Sequence, residues 1–176
     1  MRKNLSLWQF AGFSLCSLAG TVLHFLYEWT NENVLIAPFS AVNESTWEHM
    51  KLLYFPLLIF ALIQSRFSKE YRYFWCVKYI GFTVGLTSIP VLFYTYNGVL
   101  GKSPDWINIS IFFLATAATF LTEWALFRRK NNRCKGEPLF VSLIFFLGLL
   151  FILFTFLPPH LPLFQDPLTK TYGIIK

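Results

Sequence analysis

Apolar residues fall in five long runs separated by short polar breaks, over residues 5–29, 47–65, 73–96, 106–127 and 139–157. Within each run they fill most positions. A soluble amphipathic helix would instead show one apolar face at a 3.6-residue period, and a half-buried strand would alternate. About 20 consecutive apolar residues cross a bilayer as a helix, so the pattern predicts about five transmembrane helices in a single integral membrane domain, residues 1–176. The fold class that follows is all-α, a polytopic membrane helix bundle. The second run is the shortest and holds Pro56, which a membrane helix accommodates when neighbouring groups satisfy the freed carbonyl.

Two breaks have a distinct character. "YNGVLGKSPD", residues 96–105, reads as a turn-rich loop, with Asn-Gly and Ser-Pro supplying the breaks. "FLPPHLPLFQDP", residues 156–167, has four prolines and cannot continue the fifth helix. It is too apolar for a free tail, so it is expected to fold back over the outer face; lying along the lipid headgroups is the alternative. At the other end, Met1-Arg2-Lys3 before an apolar run resembles a signal peptide, with Ser17-Leu18-Ala19 where cleavage would occur. The run continues to Tyr27 and Trp29 past that triplet, which favours a first helix that stays in place.

Composition agrees with lipid as the solvent: 55% of the 176 residues are hydrophobic and 14% are charged, against a charged share of about 25% in soluble domains. Charge then sets the orientation, because short Lys/Arg-rich loops stay cytoplasmic. An inside N-terminus gathers Arg2, Lys3, Arg66, Lys69, Arg72, Arg128, Arg129, Lys130, Arg133 and Lys135 inside, and leaves Lys51, Lys102, Lys170 and Lys176 outside with the C-terminus. The net charge of +6 is mostly this orientation signal, so no nucleic-acid partner is expected. The lipid bilayer is the expected surrounding, in a bacterial cell (cytoplasmic) membrane. Trp8, Tyr71, Tyr73, Trp75 and Trp124 fall near the inner boundary, and Tyr27, Trp29, Trp47, Tyr94, Tyr96 and Trp106 near the outer one, as interfacial aromatics do. Cys16, Cys76 and Cys134 are odd in number and unpaired in spacing, giving no support for a disulfide scaffold or a CxxC metal site.

In this orientation all three histidines, His24, His49 and His160, lie on the outer side with six of the nine acids: Glu28, Glu32, Glu44, Glu48, Asp105 and Asp166. "HFLYE" sets His24 and Glu28 on one helical face, and a histidine this far inside an apolar run is a functional candidate unless it merely bonds to that glutamate. In "FSAVNESTWEHMK", residues 39–51, Ser45 and Glu48 match a capping box, which leaves Asn43, Glu44 and His49 unexplained. The tail would bring His160 and Asp166 to the same level.

Three histidines as ligands with one open position is the arrangement of catalytic zinc sites. His24, His49 and His160 are therefore the candidate ligands of a divalent metal such as zinc, with Glu28, Glu44 and Asn43 as outer-sphere acceptors. No HExxH run supports this. Glu44 and Glu48 are the candidate bases, and Glu28, Asn43 and Asp166 the candidate ligand-binding groups. Deeper on the inner side, Lys78 and Glu123 share a depth and predict a structural ion pair between the third and fourth helices, with snorkelling of each as the alternative. Gly81 and Gly85 have the small-xxx-small spacing that lets helices approach closely.

"HFLYEWT", "FSAVNESTWEHMKLLYFP", "FYTYNGVLG" and "FTFLPPHLPLFQDPLTKTYGI" spread along the whole chain. Together they resemble a family of short polytopic membrane proteins, mainly of Gram-positive bacteria, catalogued only as a domain of unknown function. That resemblance implies membership and no reaction. A looser likeness is to seven-helix membrane hydrolases related to alkaline ceramidases, which hold zinc with three histidines near one membrane face. The present sequence has about five helices and lacks an HxxxH on the last, so the likeness is one of chemistry. The reading reached is an integral membrane protein with an outward-facing His/carboxylate pocket for a small molecule or lipid, acting as a metal-dependent membrane hydrolase. The alternative is a non-catalytic ligand-binding or transporter accessory protein.

Overall fold

The computed structural model describes residues 4–68, 71, 73–101, 104–129 and 136–174. Arg2, Lys3, Lys69, Arg72, Lys102, Lys130, Arg133, Cys134, Lys135 and Lys176 therefore lie outside the described residues, as does the side chain of Asp105. Five α-helices follow one another: α1 (Leu5–Trp29), α2 (Thr46–Arg66), α3 (Phe74–Leu100), α4 (Asp105–Arg128) and α5 (Glu137–Phe156). All five are long and apolar enough to cross a membrane.

The least apolar of the five, α2, is the one that the others surround. Fourteen of its 21 residues are buried, whereas only four of the 20 in α5 are. A face turned to lipid must be apolar, but a face turned to other helices can carry small and polar groups. Leu52, Leu53, Tyr54, Leu57 and Ala61 make α2 the axis of the core, and the Tyr54 hydroxyl donates to the Ile144 carbonyl of α5 at 2.7 Å. α1 turns a narrow stripe inward, Leu5, Gln9, Gly12, Cys16 and Gly20, toward α2 and α4, while Leu7, Phe10, Leu15 and Leu18 face outward.

The most extensive helix pair is α3 with α4. Gly81 and Gly85 lie at that contact, as their spacing predicts. A Cβ on Gly81 would sit 2.7 Å from the Glu123 side chain, and one on Gly85 would overlap Thr119. Next to them Lys78 Nζ meets Glu123 Oε2 at 2.6 Å, both fully buried. The rings of Phe60, Phe74 and Phe120 stand 5.4–5.7 Å from the ammonium. Neither side chain snorkels to the boundary.

Two expectations are corrected. Asn97 and Gly98 lie inside α3, which runs to Leu100 and ends at Gly101 with φ 65°. The turn is thus delayed to the residue that takes the left-handed conformation without a Cβ penalty. Cys76 is disulfide-bonded, so the odd cysteine count does not exclude a bridge, while Cys16 is free and buried. Unforeseen was Glu137, whose carboxylate accepts from the amides of Trp75 at 3.1 Å and Cys76 at 3.4 Å. An acid at the start of α5 thereby satisfies the first amides of α3.

The tail does fold back, over the end of the bundle where α2 begins. After α5 it makes a 3-10 turn, Pro162–Phe164, and a short antiparallel bridge between Gln165 and Tyr172. Phe164 wedges against Trp47 and Phe154, with centroids 4.7 and 5.4 Å away. Trp47 is consequently buried under the tail and is not an interfacial anchor, whereas Trp29 and Trp106 are two-thirds exposed.

Candidate functional site

The stretch that links α1 to α2 is held by its own polar side chains. The Ser40 hydroxyl donates to the Leu23 carbonyl and accepts from the Tyr27 amide. Asn43 Oδ1 accepts from the Ser45 amide at 2.9 Å, while its Nδ2 donates to the Gly173 carbonyl of the tail. Ser45 caps α2, accepting from the Glu48 amide at 3.4 Å. The reciprocal half of the capping box is altered, because Glu48 reaches back to the Val42 amide and pairs with Lys51 Nζ at 2.6 Å. Lys51 is fully buried and also donates to the Ala37 carbonyl and the Thr155 hydroxyl. Glu48 therefore faces a structural cation and not a solvated pocket, and Lys51 is not an outer surface charge.

This scaffold sets Glu44 between two imidazoles. Glu44 Oε1 lies 3.8 Å from His24 Nε2 and Oε2 lies 3.5 Å from His49 Nε2. The two rings meet edge to face with centroids 5.5 Å apart. One ligand atom from each of His24, Glu44 and His49 falls within 4.8 Å of the others. Metal distances of roughly 2.0–2.2 Å in a tetrahedral site imply ligand-to-ligand separations of about 3.4 Å, so the group as it stands is somewhat wider than a filled site. His49 Nδ1 lies 3.0 Å from the Ser45 carbonyl. Donation by Nδ1–H leaves the Nε2 lone pair directed at Glu44, the orientation of a ligating histidine held by a backbone acceptor.

Two clefts meet at this group. One, about 440 Å³, lies among α2, α3, α4 and the tail, with Asn97, Asn108, Tyr94 and Lys170 among its lining residues. The other, about 480 Å³, lies between α1 and α4 and is walled by Phe25, Ile109, Phe112 and Phe113. Glu44, His49, Asn108, Phe112 and Leu168 line both.

Of the residues singled out in the sequence, His24 and His49 come together and Glu44 joins them as a potential ligand, where an outer-sphere or base role was expected. His160 is a correction: it is exposed, its ring packs 4.8 Å from Tyr172, and it is not in the group. The prolines do turn the tail back, but they deliver Asp166 in place of the histidine. Asp166 is buried, accepts from the Glu44 amide at 3.3 Å and from the Leu168 and Thr169 amides, and so fixes both the tail turn and the backbone behind Glu44. Glu28 is exposed on the last turn of α1 and lies outside the group; His24 turns to Glu44 instead. Asn43 staples the tail and does not line either cleft. Asn108, Phe112 and Leu168 carried no motif and enter the site through the packing of α4 and the tail alone.

A bundle of five membrane-length helices with a His/carboxylate group at one end defines the class. The chain belongs to DUF6512, a family of unknown function whose model matches residues 1–174. No match was found among curated proteins or among solved structures.

Proposed function

We propose that His24, Glu44 and His49 hold a divalent metal ion such as zinc, and that the protein is a metal-dependent membrane hydrolase. The observation that carries this reading is Glu44 presenting one oxygen to each imidazole at 3.8 and 3.5 Å, while the Ser45 carbonyl orients His49. Two histidines and a glutamate are a ligand set that catalytic zinc sites use, and a divalent ion held by them would make water more acidic. The clefts on either side give substrate and water separate approaches. Glu44 would then be a ligand, Glu48 is committed to Lys51, and an ion held here would supply the activation of water that a general base otherwise provides.

Elemental analysis of the protein purified in mild detergent should find one divalent ion per chain. His24→Ala combined with His49→Ala should abolish it, and His160→Ala should retain it. A metal-free wild type, or a double variant loaded like the wild type, would overturn the site. Chelator-sensitive hydrolysis of a panel of lipid esters and amides tests the reaction. Loaded protein without turnover would favour the alternative, a non-catalytic ligand-binding or transporter accessory protein, to which the loss of Glu48 as a base already lends weight.

The finer location belongs to the same proposal: a bacterial cell membrane, with the metal end outside. Arg66, Arg128 and Arg129 at the opposite end support this. The disulfide at Cys76, near that opposite end, weighs against it, since disulfides are rare in a reducing cytosol. A membrane-impermeant thiol reagent on intact cells should label an Asn31→Cys variant at the tail end and spare an Arg129→Cys variant. The reverse pattern would invert the orientation.

A further inference from the structure

We propose that the cleft between α1 and α4 binds one acyl chain of a membrane amphiphile, entering sideways from the bilayer, with the polar head in the neighbouring cleft. Its walls are hydrocarbon and aromatic, Phe25 on α1 with Ile109, Phe112 and Phe113 on α4. Phe25, Ile109 and Phe113 remain 42%, 57% and 39% exposed on faces of membrane-length helices. The way in is therefore from lipid and not from water. Gly20 lines the cleft where α1 comes against Phe112 of α4 and the Leu52 carbonyl of α2; a Cβ there would overlap the Phe112 ring and lie 2.9 Å from that carbonyl. Gly20 is four residues before His24, so this part of the cleft lies about 6 Å along α1 from the His24–Glu44–His49 group.

The order of chemistry along the two clefts matches that of an amphiphile. Apolar walls lead from the bilayer to the His24–Glu44–His49 group, and the neighbouring cleft adds Asn97 and Lys170, which offer hydrogen-bonding and cationic contacts. A volume near 480 Å³ is within the range of small-molecule sites, whose surfaces are mostly apolar with a few placed polar groups. Placement of the chain-to-head linkage at a metal rests on the hydrolase reading above, whereas chain binding stands without it.

The full-length protein in phosphatidylethanolamine/phosphatidylglycerol vesicles, doped with a phospholipid bearing a photoactivatable acyl chain, provides the test. After irradiation, adducts should concentrate on residues 21–25 and 109–113. Thr21→Phe and Ile109→Trp, both at exposed positions, should each reduce those adducts about tenfold by excluding a few methylenes. Adducts on the exposed α5 residue Leu149 and the metal content should stay unchanged. Adducts spread in proportion to exposed apolar surface, or undiminished by both substitutions, would overturn the proposal. The two readings fail separately: a protein without metal that still labels the cleft removes only the hydrolase, and a loaded protein that does not label it removes only the chain.

Discussion

Glu123→Leu is expected to destabilise the protein by about 3–5 kcal/mol, the cost of leaving a buried cation without its partner. Lys78 would then be fully buried among Phe60, Phe74 and Phe120, three ring faces that offer only part of what the carboxylate supplies. Surrounding lipid makes escape to water more expensive for a group this far inside the bundle. The pair as a unit is a different matter, because replacing both partners by apolar residues of similar volume is often neutral or stabilising. Lys78→Met with Glu123→Leu should recover most of the loss. Denaturation of the purified protein in detergent, followed by tryptophan fluorescence, compares the three chains. Equal losses in single and double variants would mean that the pair contributes more than mutual compensation, and no loss in Glu123→Leu would mean that Lys78 finds water.

Glu48→Ala should bring a loss of similar size, about 3–5 kcal/mol, since it strands Lys51 in the same way and removes the acceptor of the Val42 amide. Lys51 would keep only the Ala37 carbonyl and the Thr155 hydroxyl. Lys51→Met combined with Glu48→Gln should regain most of that stability and bind metal as the wild type does, because neither residue belongs to the group of potential ligands. Thermal unfolding and metal content of the same samples decide it. Should that stable double variant lose turnover while keeping its metal, Glu48 would return as a chemical participant.

Both predictions concern charges whose partners were legible to different degrees. Lys78 and Glu123 lie at matching depths in adjacent runs, so the sequence offers the pair as one of two readings, with snorkelling as the other, and the buried contact at 2.6 Å selects the pair. Lys51 reads as an outer-side charge because it lies near the start of the second run, just after a polar stretch. Only the folding of the α1–α2 segment and of α5 over it turns Lys51 into a buried cation. The low apolar content of α2 has the same origin: lipid demands hydrocarbon from a helix face and a neighbouring helix does not.

The site divides along a similar line. Ser45 as a cap and the candidacy of His24, Glu44 and His49 come from residue type and spacing. Which histidine is left out depends on where a proline-rich tail lands. His160 and Asp166 are six residues apart, and the tail turn at residues 166–171 uses the carboxylate for its own amides and for that of Glu44. Nothing in the local sequence ranks one above the other, because the choice rests on Phe164 seating against Trp47, about 120 positions away along the chain.

The sequence by itself determined five membrane-length helices, the capped start of the second, the shared depth of Lys78 and Glu123 and the small-residue spacing of Gly81 and Gly85. Each depends on composition, depth or spacing within one or two runs. Only the tertiary structure decided that α2 lies at the centre, that Glu48 serves Lys51, and that Glu44 joins His24 and His49 at the meeting of two clefts. Those outcomes depend on contacts between segments far apart in the chain, where side chains compete for the same few partners in a low-dielectric interior and the packing of the whole bundle selects among them.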